Sequence, residues 1–308
     1  MDPFAPQSPM AQSISNIFIL TLWIGAAVLI LVTVLVTIAI IRFRHRPGDD
    51  EDPKQVYGNR RLEIAWTAAP ALLLIFLFAL TVKTSFTSDP TVSSKDPDVV
   101  VIGHQWWWEI RYPKYGVVTA NEVHMPVGQK IIGDFESADV IHDFWVPELG
   151  RKIDMIPGHP NQMYIQVDKS GTYLGTCAEY CGTEHAWMRI RVIAQTPEEF
   201  AAWIKSQQQV PAVPTTGEAA KGAQLFQAIP CQSCHTIAGT AANGTVGPDL
   251  THFASRQTLG TGVLDNNAGT LTAWLSNPQA IKPGILMPNL KLTNDQITAL
   301  VAYMETLK

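Results

Sequence analysis

Residues Cys177 to Met188 read C-A-E-Y-C-G-T-E-H-A-W-M, and the rest of the chain is arranged around them. Two thiols, an imidazole and a thioether fall in this one short segment. Soft sulfur and imidazole donors select copper, zinc or iron–sulfur, and a weak thioether favours copper. Cys177 and Cys181 are four apart, so one tight loop can aim both sulfurs at a single point. His185 and Met188 follow, and Glu179 lies between the thiols. A second imidazole has to come from elsewhere, and His142 is the choice. A dicopper centre with two bridging thiolates, one His per copper and weak axial ligands uses every one of these groups. A disulfide across so short a loop would be strained and would leave His185 and Met188 without a role. Structural zinc favours paired C-x-x-C spacing and has no use for Met.

C-A-E-Y-C-G-x-x-H-x-x-M resembles the CuA loop of subunit II of the haem–copper cytochrome oxidases. D-V-I-H-D-F-W-V-P around His142 is similar to that family's upstream copper-histidine segment, and G-H-Q-W-W-W at Gly103 to Trp108 to its aromatic strand. The resemblance implies a cupredoxin-like Greek-key β-sandwich, with Cys177 and Cys181 bridging the coppers, His142 and His185 one on each, and Met188 a weak axial ligand. It also implies that Glu179 lends its backbone carbonyl to one copper and its carboxylate to a Mg²⁺ shared with subunit I. Trp106 becomes the exposed electron-receiving residue by family position, with the fused haem domain described below able to dock there in place of a separate donor.

The chain has 308 residues, enough for two or three domains. A net charge of −5 provides no basic footprint for nucleic acid. Hydrophobic residues make up 46%, near the soluble average, so any membrane portion is a minority of the chain. The four cysteines fall in two close pairs, better explained by cofactors than by a disulfide framework.

Residues 1–16 carry no Lys or Arg and so lack the basic start of a cleavable signal. Ile17 to Ile41 and Ile64 to Val82 hold no charged residue, and each suits a transmembrane helix. Pro70 is expected to kink the second helix without breaking it. Arg42, Arg44 and Arg46 end the first span, and Pro47-Gly48 breaks it. Lys54, Arg60 and Arg61 add to the connecting loop beside the acidic run Asp49 to Asp52. Basic residues between spans place that loop in the cytoplasm, with both termini and the metal chemistry on the outer face of a bacterial inner membrane. Glu63 opens the second span. It reads as an interfacial acid, and the resemblance puts this position at the mouth of a proton path into subunit I.

After Lys83 the composition is that of a soluble domain. Val99 to Ile102, Lys130 to Phe135, Met163 to Val167 and Trp187 to Ile193 read as strands, with turn signals between them. Of Trp106, Trp107 and Trp108, alternation along a strand sends at least one into the core. His104, His124 and His159 read as ordinary histidines, and Arg151 and Lys152 as surface or subunit-interface charges. Thr196-Pro197-Glu198-Glu199 opens a helix with a capping box. Gln207 to Gly217 is a linker by composition.

Beyond it, Glu218 to Ala228 has helical apolar spacing and leads into Cys231-Gln232-Ser233-Cys234-His235. C-x-x-C-H is the c-type haem attachment signal, with His235 beneath the iron. Among the second axial candidates, Met304 fits the core stripe of the final helix and His252 is the weaker alternative. Met287, in the loop G-I-L-M-P-N-L, is preferred. G-P-D-L at Gly247 to Leu250 and Met287-Pro288 make this domain similar to small class-I cytochromes c, which are all-α.

The expected organisation is multi-domain: a transmembrane hairpin (1–83), a CuA domain (84–206), a linker (207–217) and a cytochrome c domain (218–308). The resemblance implies subunit II of a caa-type cytochrome c oxidase. It would work with subunit I, subunit III and an external donor such as a soluble cytochrome c, with oxygen reduction and proton pumping in the partner. A quinol-oxidising relative that has lost copper, a membrane-anchored electron shuttle or copper-binding assembly protein, and a CuA-bearing component of a nitrogen-oxide reductase are the alternatives; the intact ligand set speaks against the first.

Overall fold

The computed structural model describes residues 2, 4–46, 48, 55–88, 92 and 94–308. Pro47, Asp49 to Asp52 and Lys54 lie outside the described residues. Two compact units are present: residues 12–90, and residues 1–11 with 91–308.

The first unit is built from two long helices, α1 (Pro9–Arg42) and α2 (Arg60–Ser88). Both are apolar all round, and neither buries its apolar window inside the protein. Trp23 is 73% exposed and Phe78 68% exposed, which in water would be a large penalty and in a bilayer is none. The helices extend beyond the uncharged stretches because polar residues at their ends continue the backbone pattern. α2 runs through Pro70 unbroken. Glu63 caps it: its carboxylate accepts the Asn59 N–H at 3.1 Å, and the Asn59 side chain accepts from Arg61 and Leu62.

The second unit begins with ten strands: β1 (Val99–His104), β2 (Trp107–Tyr112), β3 (Val117–Ala120), β4 (Glu122–Pro126), β5 (Ile131–Ser137), β6 (His142–Trp145), β7 (Ile153–Met155), β8 (Asn161–Ile165), β9 (Gly171–Cys177) and β10 (Arg189–Gln195). They form two five-stranded sheets, ordered β3-β2-β1-β5-β8 and β4-β10-β9-β6-β7. Parallel pairing of β1 with β5 and of β4 with β10 arises because the chain crosses between sheets. The inner faces meet in one core that includes Trp108, Phe135, Phe144, Met155 and Met188.

Two strand readings need correcting. Gly103 to Trp108 is not one strand: β1 ends at His104 and β2 starts at Trp107, so Trp106 sits in the turn. The last strand starts at Arg189 because His185–Trp187 is a 3-10 turn, tight enough to return the chain after the ligand loop.

The first residues also belong to this unit. The Ser8 hydroxyl donates to the Leu149 carbonyl at 2.6 Å, and the Gln7 N–H to Glu148 at 2.8 Å.

α3 (Pro197–Gln207) opens on the Thr196–Glu199 capping box and packs Phe200 and Trp203 against Tyr112. His124 stacks on Trp203 at 3.9 Å. Burial pushes its imidazole from the ordinary 6.5 down to about 4, against a hydrogen bond with Gln195. The unfolded chain takes up a proton below about 6.5 that the folded domain refuses until about 4. Stability therefore falls as pH drops through that window, by up to about 3 kcal/mol from this site. Thermal unfolding of wild type and His124→Phe across the window should show the variant losing less.

The remaining helices are α4 (Gly217–Ala228), α5 (Cys231–Cys234), α6 (Ala268–Ser276), α7 (Pro278–Ile281) and α8 (Asn294–Met304). α4 and α8 cross, burying Phe226 against Tyr303, with Ile297, Leu300 and Met304 in the same core. Met304 is thus a core residue, as its spacing predicts. One addition to the all-α expectation is a small hairpin, β11 (Thr258–Leu259) with β12 (Leu264–Asp265). The Glu122 carboxylate of the sandwich accepts from the Gln257 and Thr258 N–H groups and from the Thr258 hydroxyl, at 3.0, 2.9 and 3.0 Å. Sandwich and helical domain therefore pack as one unit.

Candidate metal centre

β6 and β9 are neighbours, with Phe144 opposite Cys177, so His142 and Cys177 meet at one end of the sheet. The chain leaves β9 at Cys177, turns through Cys181 and returns on β10 after Met188. The Cys177 N–H closes this loop by donating to the Met188 carbonyl at 2.9 Å.

The donors form a chain. His142 Nδ1 lies 3.9 Å from Cys177 Sγ, which is 3.7 Å from Cys181 Sγ, which is 3.7 Å from His185 Nδ1. Met188 Sδ is 3.8 Å from Cys181 Sγ, and the Glu179 carbonyl 3.2 Å from Cys177 Sγ. Each sulfur thus has one imidazole beside it and one weaker donor. His142, Cys177 and Cys181 offer ligand atoms within 4.8 Å of one another. All four cysteines are free thiols. Sulfurs at 3.7 Å are far beyond disulfide bonding, about 2 Å.

The electrostatics also call for a cation. The contact with Cys181 holds the Cys177 thiol far below its ordinary range, against the opposing effect of burial, and His142 assists. The same contact pushes Cys181 far up. Two thiols this close disfavour ionising together, and a bound cation relieves that repulsion. Soft donors, two thiolates and one imidazole each fit a copper pair.

The surroundings hold the ligands in place. His142 Nε2 pairs with Asp139 Oδ1 at 2.8 Å, which leaves Nδ1 toward the sulfur. A side chain at Gly103 would place its Cβ 2.7 Å from His142 Cδ2, so glycine makes room for the ring. The Gln105 and Trp106 side chains both donate to the Cys181 carbonyl, at 2.8 and 2.9 Å. Trp106 is half-buried, correcting the expectation of an exposed residue. Its own carbonyl accepts from the Thr261 hydroxyl of the helical domain at 3.0 Å, so the fused domain touches its backbone.

In the helical domain, α5 sets Cys231 and Cys234 one turn apart and His235 follows. The His235 Nδ1–H donates to the Pro248 carbonyl at 2.7 Å, which leaves Nε2 free for a metal. Burial lowers its pKa, with the hydrogen bond to Pro248 opposing. Burial also pushes the Cys231 thiol up to about 11. Met287 sits half-buried in a loop, its carbonyl accepting from Gln279 at 2.8 Å. His252 is buried, and its Nδ1 has no hydrogen-bond partner among the described residues. These residues fit a covalent haem.

Family models match three stretches: cytochrome c oxidase subunit II, transmembrane domain, at 5–83; the periplasmic domain of the same subunit at 116–195; and cytochrome c at 219–308. Cytochrome c oxidase subunit 2 of Alkalihalophilus pseudofirmus is 38% identical over 98% of this chain and 90% of its own length. The chain belongs to the cytochrome c oxidase subunit II family.

Its counterpart from Bacillus sp. strain PS3 is 33% identical over 86% of this chain and 80% of that one. Among solved structures, the periplasmic domain of subunit II of cytochrome oxidase of Bradyrhizobium japonicum is 32% identical, covering 38% of this chain and 97% of that one, with a TM-score of 0.37. This subunit II carries a cytochrome c domain, and its family implies copper and haem c.

Sequence reading missed several groups around these ligands. Asp139 lies three residues before His142, a spacing that could have flagged it. Asp143 is fully buried beside His142, with Lys152 Nζ at 3.5 Å, and burial pushes its carboxyl up to about 7. Lys152 therefore has a buried partner and is more than a surface charge. Arg151, Lys152, Asp154 and Gln162 line an open groove of about 280 Å³. Glu179 exposes its carboxylate to solvent.

Proposed function

We propose that this chain is the electron relay of a membrane-bound terminal oxidase. Electrons arrive from an external donor at the site made by Cys231, Cys234, His235 and Met287. They move to the site made by His142, Cys177, Glu179, Cys181, His185 and Met188, and leave toward subunit I. When bound, the haem iron and the copper pair supply one-electron chemistry without bond making. The observation carrying this reading is the run His142–Cys177–Cys181–His185, with every step between 3.7 and 3.9 Å.

The residues' part is to hold still. Asp139, Gly103 and the closed loop fix the donor set, so a change of charge moves little. The half-buried Trp106 links the Cys181 carbonyl to the helical domain through its indole N–H and its own carbonyl. That supports docking of the fused haem domain where a separate donor would otherwise bind. Oxygen reduction and proton pumping take place in subunit I, with subunit III alongside. The exposed Glu179 carboxylate is available for a shared Mg²⁺ at that interface. Glu63, which caps α2, keeps the family's proton-path position as a secondary role. Arg42, Arg44, Arg46, Arg60 and Arg61 between the spans support a cytoplasmic loop with the redox domains outside.

The test is metal analysis and stepwise reduction of the full-length chain in its native complex. Two coppers per chain are expected, bleaching after the haem when a one-electron donor is added, with oxygen consumed. One metal atom at the loop, or zinc, overturns the reading, and turnover of nitrogen oxides in place of oxygen would favour the reductase alternative.

A further inference from the structure

A second contact ties the two redox domains together, away from the Glu122 hairpin. Glu184 and Lys282 are 2% and 1% exposed, and Lys282 Nζ lies 3.8 Å from Glu184 Oε2. Lysine and glutamate are almost never this deeply buried unless paired. Glu184 immediately precedes the ligand His185, and Lys282 opens the loop that carries Met287. At Gly284, φ is +101° and an added Cβ would lie 3.0 Å from Thr183 Cγ2, so the two loops run against each other over several residues. Among the described residues Glu184 Oε2 accepts no hydrogen bond, and the ammonium is what answers its charge.

We infer that Glu184 and Lys282 are a positioning pair that seats the Met287 loop on the Cys177–Met188 loop in one register. This rests on the relay reading above. A domain held at one point can still swing about it. The Glu122 contact fixes the β11–β12 hairpin, and the ion pair fixes the loop around Lys282, which leaves one orientation. Fixing register is the best-attested use of a buried ion pair. Burial pulls the lysine down to about 8, with Glu184 and then Cys181 opposing.

The experiment uses the full-length, cofactor-loaded chain with Glu184→Gln, Lys282→Met and both together. Amide hydrogen exchange is followed in residues 182–186 and 282–287, and the haem-to-copper transfer rate is followed after photoreduction. Each single change strands a buried charge, so exchange in both loops should rise about tenfold and transfer should slow by a similar factor. Both optical spectra and exchange in β10 and α8 should stay unchanged. The double variant should be no worse than either single, because it removes both charges. Wild-type exchange in the singles, or effects that add as if independent, would overturn the pairing. A single variant that does not fold is replaced by Glu184→Asp, where smaller changes of the same sign are expected and wild-type behaviour overturns the proposal equally. If the unmodified chain passes no electron between its cofactors, the relay reading fails while the exchange measurements still decide the pair.

Discussion

Cys177→Ser is expected to abolish the dicopper absorption while covalent haem staining survives. The substitution removes the sulfur that sits 3.9 Å from His142 and 3.7 Å from Cys181, which breaks the donor chain between them. A serine hydroxyl is a hard donor that ionises far less readily than a thiol, so it cannot bridge soft metal ions. The geometry then leaves Cys181, His185 and Met188 around a single position, enough for one weakly held ion. Copper content should fall from two per chain to one or none, and oxygen consumption with an external donor should drop to background. The serine itself is nearly isosteric, so folding should change little, and haem staining of the same band controls for expression. Retention of the dicopper spectrum would show that the bridging assignment is wrong.

The double change Cys231→Ala/Cys234→Ala is expected to produce the reverse: copper retained, covalent haem lost. Both thiols are half-buried on the single turn α5, with His235 next in line. Without the thioether bonds, only His235 and Met287 would hold a haem, and denaturing gels would show none. The helical domain should also lose stability, because the covalent link constrains the unfolded chain as a crosslink does, worth about 2–4 kcal/mol by analogy with a disulfide. Copper should remain, since the sandwich has its own core around Trp108 and Phe144. Haem staining after denaturation, measured beside copper analysis of the same sample, decides the matter.

Much of this was legible because the chemistry is local. Cys177, Cys181, His185 and Met188 lie on one loop, and C-x-x-C-H is contiguous, so a candidate donor set can be read from sequence spacing. His142 was harder, since β6 and β9 meet only through the fold, and a resembling segment had to supply it. Periodicity found the two spans and the last helix, where apolar runs are long. It missed β3, β4, β6, β7 and β9, all but β9 only three to five residues long, too short to show alternation. Trp106 was placed on a strand because Gly103 to Trp108 resembles the family's aromatic strand. The turn at Gln105 has no glycine or proline to announce it. Glu122, Glu184 and Lys282 were invisible for another reason. Nothing in sequence distinguishes a buried acid or lysine from a solvated one when its partner lies over ninety residues away.

The hairpin seated on Glu122 has a kinetic consequence. A soluble donor must find its acceptor by diffusion, so its delivery slows on dilution and competes with other molecules for the same patch. A domain tethered through α3 and α4 and already resting on its acceptor has a fixed effective concentration. If the relay reading holds, the handover inside this chain would be first-order and indifferent to how crowded or empty the surroundings are, and only the refilling of the haem would depend on supply.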